Sequence, residues 1–304
     1  MCGIMGYYSF GSTIPEKKKM EKMFALLETR GRDASGFAFI DPATKQLKVT
    51  KSPVPSSNLI KYSQWMELDL PKIMIAHTRM KTQGEPSNNM NNHPLFTKDG
   101  LAIVHNGQIY NDKEVFTKQV KRDAQVDSEA ILPVLSKTNR RKEDSIKSLF
   151  EELDGVFAIA YLTQQDLEQL TLIKKDNPIE LYYNSEDDIL YFASEKEILQ
   201  EALGIKATYK RGFSIGESNN HYYQMENNHA LVINKTGIES YKEYKPKYSS
   251  FSGYDNENIF SQYYGDLSLM ECPYCYGATN YNWMKLDNKC QHCGQSICEE
   301  DIYV

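Results

Sequence analysis

Apolar residues recur along this chain with two different periods. Met20, Met23, Phe24 and Leu27 fall at i, i+3, i+4 and i+7, which predicts a helix with one apolar face. Pro15 would open it, since the first helical position has no use for the missing N–H. Lys17-Lys18-Lys19 would then be its solvated side. The helix should stop in the polar stretch Thr29–Gly36. Apolar runs of strand length appear at 2–10, 36–40, 73–77, 101–105, 156–162, 170–174, 181–183, 189–193 and 230–233, with helical stretches at about 127–137, 143–153 and 195–203. An unbroken run such as Val156-Phe157-Ala158-Ile159-Ala160-Tyr161-Leu162 predicts a sheet covered on both faces. Strands follow one another without regular helical alternation, so the fold class is α+β.

Composition narrows the picture. The 304 residues are 40% hydrophobic and 25% charged, which fits one large globular domain with an appendage. No apolar run approaches the roughly 18–20 residues that span a bilayer, and no charged leader precedes an apolar segment, so a cytoplasmic protein is expected. A net charge of −6 gives no general attraction for nucleic acid. Near Tyr241 the composition shifts to Tyr, Ser, Asn and Gly. The expected organisation is a main domain over 2–240, a linker over 241–268 and a tail over 269–304.

The tail concentrates the cysteines. Cys272-Pro273-Tyr274-Cys275 and Cys290-Gln291-His292-Cys293 are two C-x-x-C pairs separated by fourteen residues, close to the spacing of a zinc ribbon. Four thiolates would close a tetrahedral shell around a structural zinc, whose binding would supply the folding free energy of so short a segment. His292 is an alternative ligand. A redox pair is the weaker reading, and Cys298 reads as a small buried apolar residue. From residue 247 onward there are three lysines against eight acidic residues, so the tail repels phosphate. Tyr274, Tyr276, Tyr281 and Trp283 suit a protein partner instead.

The chemistry centres on Met1-Cys2-Gly3-Ile4. Removal of Met1 is expected, and it would leave Cys2 with a thiol of reference pKa about 8.5 beside an α-amine of about 7.7–8.0. Nucleophile and general base would share one residue. Alone, a Met-Cys start means nothing. Four later stretches bear on it: Arg30–Gly36; His77-Thr78-Arg79-Met80-Lys81-Thr82-Gln83-Gly84 with Asn92-His93-Pro94; His105-Asn106-Gly107; and Asp127-Ser128-Glu129. Each has a structural reading of its own. Asn-Gly is a hairpin signal, and Asp127 looks like a helix N-cap.

In this order the blocks resemble the class II glutamine amidotransferase domain, the N-terminal-nucleophile type, over roughly residues 2–240. The resemblance extends through Asp176-Asn177-Pro178-Ile179 and Leu190–Glu195. It implies a four-layer αββα sandwich, to which the tail would add a small zinc ribbon. It also implies that Cys2 attacks the side-chain amide of glutamine, with Asn106 and the Gly107 N–H holding the oxyanion. Arg79 would pair with the α-carboxylate and Asp127 with the α-ammonium. Thr82 and His93 would line or support the pocket, and Arg30 would order the loops near Cys2. Hydrolysis itself would need no cofactor. The chain departs from the family with Met80 after His-Thr-Arg and with Gln83 two residues beyond Lys81. About sixty residues remain after the domain, and no phosphate-binding Gly-Lys-Ser/Thr loop is present. The ammonia acceptor is therefore expected on a separate protein. Two other readings stand beside this one: hydrolysis of another γ-glutamyl or amide substrate, and a catalytically silent scaffold or regulatory subunit.

Overall fold

A computed structural model describes residues 2–116, 120–136, 142–210 and 221–248, and four short strands between 267 and 297. In chain order the strands are β1 Gly3–Ser9, β2 Ala34–Ile40, β3 Leu47–Ser52, β4 Ile73–Arg79, β5 Leu95–Phe96, β6 Leu101–Ile109 and β7 Gly155–Thr163. They continue with β8 Asp166–Lys175, β9 Glu180–Asn184, β10 Ile189–Ala193, β11 Thr208–Tyr209, β12 His221–Gln224, β13 His229–Asn234 and β14 Gly237–Glu243. They form two sheets. One has the order β11-β12-β9-β10-β1-β4-β2-β3 and the other β14-β13-β8-β7-β6-β5.

Period-two alternation explains the layers. On β1, Ile4 and Tyr8 point between the sheets, where they meet Val104, Ala158, Leu172 and Leu231 of the second sheet. Met5 and Tyr7 point the other way, onto Met20, Met23 and Phe24 of the helix Lys17–Leu26. On the second sheet, Ile103, Ile159 and Val232 face outward onto Ile146, Leu149 and Phe150 of the helix Lys142–Glu152. The result is the αββα sandwich. Met20, Met23, Phe24 and Leu27 are all fully buried. At about 1.5–3 kcal/mol for each buried side chain, that face outweighs the weak helix propensity of so short a segment.

Three local expectations are corrected. The first helix begins at Lys17, with Pro15 lying just outside it and Glu16 in extended conformation at the cap. Lys17 is not simply solvated, because its ammonium donates to the carbonyls of Met66 and Leu68 at 2.8 Å. Asn106-Gly107 is no hairpin turn: both residues lie within β6, paired across to Ala158 and Phe157 of β7.

The chain divides into two compact units, Met1–Ser250 and Phe251–Val304. β14 reaches Glu243, and the Tyr244 ring stacks on Phe150 at 5.2 Å, so residues 241–244 are built into the first unit. In the second unit Leu267–Glu271 pairs with Ala278–Asn282, and Asn288–Lys289 pairs with Ser296–Ile297. Cys272, Cys275, Cys290, Cys293 and Cys298 lie outside the described residues. Among the described residues no group of His, Cys, Asp and Glu is arranged to hold a metal ion, and no helix is long and apolar enough to cross a membrane.

Candidate active site

The sheets bring the family-like blocks to one end of the sandwich. β1 starts there, with Gly3 opposite Thr78 at the end of β4 and Met5 opposite Ala193 at the end of β10. Ile4 is pinned by Ser194, whose Oγ accepts the Ile4 N–H at 2.9 Å and whose own N–H donates to the Ile4 carbonyl at 3.0 Å. Gly3 leaves room for Leu27 and Arg30, since a Cβ at this position would fall within 2.9 Å of both side chains.

Cys2 is half-buried, its sulfur 3.6 Å from the Met80 carbonyl. Burial pushes its thiol pKa upward, and the Arg79 guanidinium pulls in the opposite direction. Arg30 holds the Cys2 backbone: its Nε donates to the Cys2 carbonyl at 3.2 Å, and its Nη1 pairs with Glu195 at 2.5 Å. Glu195 was part of a matching sequence block, but its role is visible only through this contact.

β6 supplies the opposite wall. The His77 Nε2–H on β4 donates to the His105 carbonyl at 2.9 Å, which ties the two sheets together one residue before Asn106. Asn106 is 2% exposed, and among the described residues its Nδ2 has no hydrogen-bond partner. A buried amide donor without an acceptor costs about 1–3 kcal/mol, so its presence calls for an explanation. Asn177 fixes the same residue from behind, its Nδ2 donating to the Asn106 carbonyl at 2.9 Å. Gly107 has φ +147°, and a Cβ there would strike the Val156 carbonyl and the Asn177 amide. No other residue fits.

Asp127 is not a helix N-cap. It is the first residue of the 3₁₀ turn Asp127–Ala130, and its Oδ2 accepts the Ile109 N–H at 2.7 Å. The carboxylate is thereby held against the end of β6, close enough to Cys2 for its charge to act on the thiol. Beside it, the Ser128 Oγ and His105 Nδ1 share a 2.7 Å hydrogen bond, and Glu129 accepts the N–H groups of Asp123 and Ala124.

Arg79 is 3% exposed and anchors the loop that follows β4. Nη1 donates to Asn92 Oδ1 at 2.8 Å, and Nη2 donates to the carbonyls of Gln83 and Gly84. Asp33 holds the same loop by accepting the Lys81 N–H at 2.6 Å. Thr82 sits exposed on this loop, away from the buried cluster. His93 is buried, its ring stacked on His77 at 4.2 Å and 6.4 Å from that of His105. It supports the site from within the fold. Burial lowers all three histidine pKa values, that of His77 to about 3, so the cluster is neutral at physiological pH. The structure thus gathers Cys2, Arg30, Arg79, His93, Asn106, Gly107 and Asp127. Asn177, Ser194 and Glu195 join them as supports.

Residues 77–201 match the family model described as the glutamine amidotransferase domain. The chain is 30% identical over 288 residues to a glutamine–fructose-6-phosphate aminotransferase (isomerizing) of Helicobacter pylori, covering 90% of this chain and 44% of that protein. It is 31% identical over 191 residues to the Agrobacterium fabrum enzyme of the same name, covering 60% of this chain and 30% of that one. The chain thus spans less than half the length of these curated relatives. Among solved structures it resembles the allosteric regulatory enzyme of purine biosynthesis, with TM-score 0.61 and 20% identity over 80% of this chain and 49% of that one. Glutamine phosphoribosylpyrophosphate amidotransferase from B. subtilis gives TM-score 0.57 with the same identity and coverage. Fold and sequence match agree: the chain carries a glutamine amidotransferase domain of class II, the N-terminal-nucleophile type.

Proposed function

We propose that this domain hydrolyses L-glutamine in the cytoplasm, through a γ-glutamyl thioester on Cys2. The observation that carries the proposal is the buried Nδ2 of Asn106, beside Gly107 on β6 and without a hydrogen-bond partner among the described residues. A donor left without a partner in the folded protein is accounted for if it awaits an oxyanion.

With Met1 removed, the Cys2 α-amine accepts the thiol proton, and the sulfur attacks the side-chain carbonyl carbon of glutamine. The amine is needed because burial keeps the thiol protonated. The negative oxygen that develops is held by Asn106 Nδ2–H and the Gly107 N–H. As the C–N bond breaks, the α-ammonium returns its proton to the departing nitrogen, which leaves as ammonia. Water then cleaves the thioester by the reverse proton path, releasing glutamate and restoring the thiol. In this reading Arg79 would meet the α-carboxylate and Asp127 the α-ammonium, and Thr82 would join them when its loop folds over the substrate. Arg30 and His93 position the others. No cofactor enters this scheme.

The ammonia would pass to an acceptor reaction on a partner protein, with the acidic, aromatic tail as the docking element. Structural zinc on Cys272, Cys275, Cys290 and Cys293 would fold that tail. One zinc per chain by elemental analysis, lost on Cys272→Ser, is the expected result.

The deciding experiment is incubation with glutamine. Wild type should release glutamate and ammonia in equal amounts, and Cys2→Ala should release neither. Activity in both or in neither would overturn the proposal, as would an intact mass showing Met1 retained on active protein.

A further inference from the structure

A second cavity, of about 460 Å³, lies beside the loop anchored by Arg79. None of Cys2, Arg79, Asn106, Gly107 or Asp127 lines it. Its lining is mixed, and Leu95, Phe96, Phe116 and Leu132 form its apolar part, two of them aromatic. Lys51 of β3 enters it with its ammonium 5.2 Å from the centre of the Phe96 ring.

Lys51 is the feature without an explanation. Its Nζ donates to the Asn92 carbonyl at 2.7 Å, and among the described residues no carboxylate lies within ion-pair distance of it. Burial pulls its pKa down to about 8, as expected for a cation short of a counter-ion. The remaining charges of the cavity do not supply one. Lys98 and Lys121 are balanced by Asp99 and Asp123, and all four are exposed at the mouth. Glu129 is committed to two backbone N–H groups and, at 3.6 Å, to Arg122, which Asp112 also holds at 2.7 Å. Lys51 is thus half-buried against the Phe96 ring with no carboxylate of its own among the described residues.

We infer that this cavity binds a small organic anion, a carboxylate, phosphate or sulfonate with a flat apolar body, whose charge meets Lys51 and whose body lies against Phe96 and Phe116. The site also has a route to the glutamine pocket. The carbonyl that Lys51 holds belongs to Asn92, and the side chain of Asn92 holds the guanidinium of Arg79. An anion that draws Lys51 away from Asn92 loosens Arg79, so occupancy should raise KM for glutamine. That effect rests on the function proposed above. The binding itself does not.

The test uses 8-anilinonaphthalene-1-sulfonate, an aromatic sulfonate that fluoresces on binding and stays anionic across the pH range. Full-length protein should bind it saturably at one site per chain. Lys51→Met should weaken binding about tenfold or more by removing the charged partner, whereas Lys51→Arg should retain it. Wild-type affinity should fall between about pH 7 and about pH 9.5 as Lys51 loses its proton, and Lys51→Arg affinity should not. Circular dichroism establishes that the variants fold. Failure of wild type to bind, unchanged binding by a folded Lys51→Met, or a pH-independent wild-type affinity would each overturn the inference. A glutamine KM that ignores the bound sulfonate would overturn the coupling.

Discussion

Single atoms decide the chemistry here, and two of them can be tested directly. Asn106 Nδ2 has no hydrogen-bond partner among the described residues, and in the proposed reaction it bonds the oxyanion. Asn106→Ala should therefore lower kcat by about 10²–10³ while leaving KM for glutamine within a few-fold, measured by steady-state glutamate release. A variant whose loss lay wholly in KM would assign Asn106 to substrate binding. Glu195 acts at one remove. It holds Arg30, and Arg30 holds the Cys2 carbonyl. Glu195→Gln should lower kcat by about tenfold through a misplaced nucleophile. The charge-swapped pair Arg30→Glu with Glu195→Arg should recover part of that loss. No recovery would make the ion pair incidental.

At the scale of elements, β4 and β6 carry the site, and the three histidines between them make their joining sensitive to acid. His77, His93 and His105 have folded-state pKa values below the unfolded reference of about 6.5, near 3 for His77. The unfolded chain therefore binds more protons between those values. Stability is full above about pH 6.5 and falls as pH drops, His77 contributing about 1.4 kcal/mol per pH unit down to about 3 and His93 and His105 acting in the same direction. Urea unfolding at several pH values should show this slope, and His93→Gln should reduce it; an unchanged slope would exclude His93 from the effect. These elements also show what a sequence can disclose. The apolar runs located most strands, because period-two burial is written in side-chain type. The family-like blocks located Cys2, Arg79, Asn106, Gly107 and Asp127. The hairpin reading of Asn106-Gly107 failed because β7 pairs straight through both residues, a long-range fact. The Asp127 cap reading failed because the Ile109 N–H lies nearer to hand than any N–H of its own turn. Asn177 and Glu195 act from 71 and 165 residues away along the chain, so their contacts could not be read locally.

At the scale of the whole molecule, the αββα sandwich is a rigid frame with its reactive residues gathered at one edge. The core between the sheets and the two outer cores hold both sheets fixed. Most of the positioning is therefore done by packing, while the loop after Arg79 is held by hydrogen bonds from Arg79 and to Asp33. The tail forms a separate unit, and its removal is expected to leave glutamine hydrolysis intact, as measured by glutamate release.

The amide of Asn106, unpaired among the described residues, has a consequence for fitness that the proposed catalytic role conceals. A native state that carries a thwarted donor is less stable than the same fold without it, and the organism bears that instability in every copy, working or idle. Selection for durability alone would erase the residue. Asn106→Leu, apolar and of similar bulk, should accordingly yield an inactive protein that melts at a higher temperature than wild type by calorimetry, and a lower melting point would mean that Asn106 stabilises the fold after all.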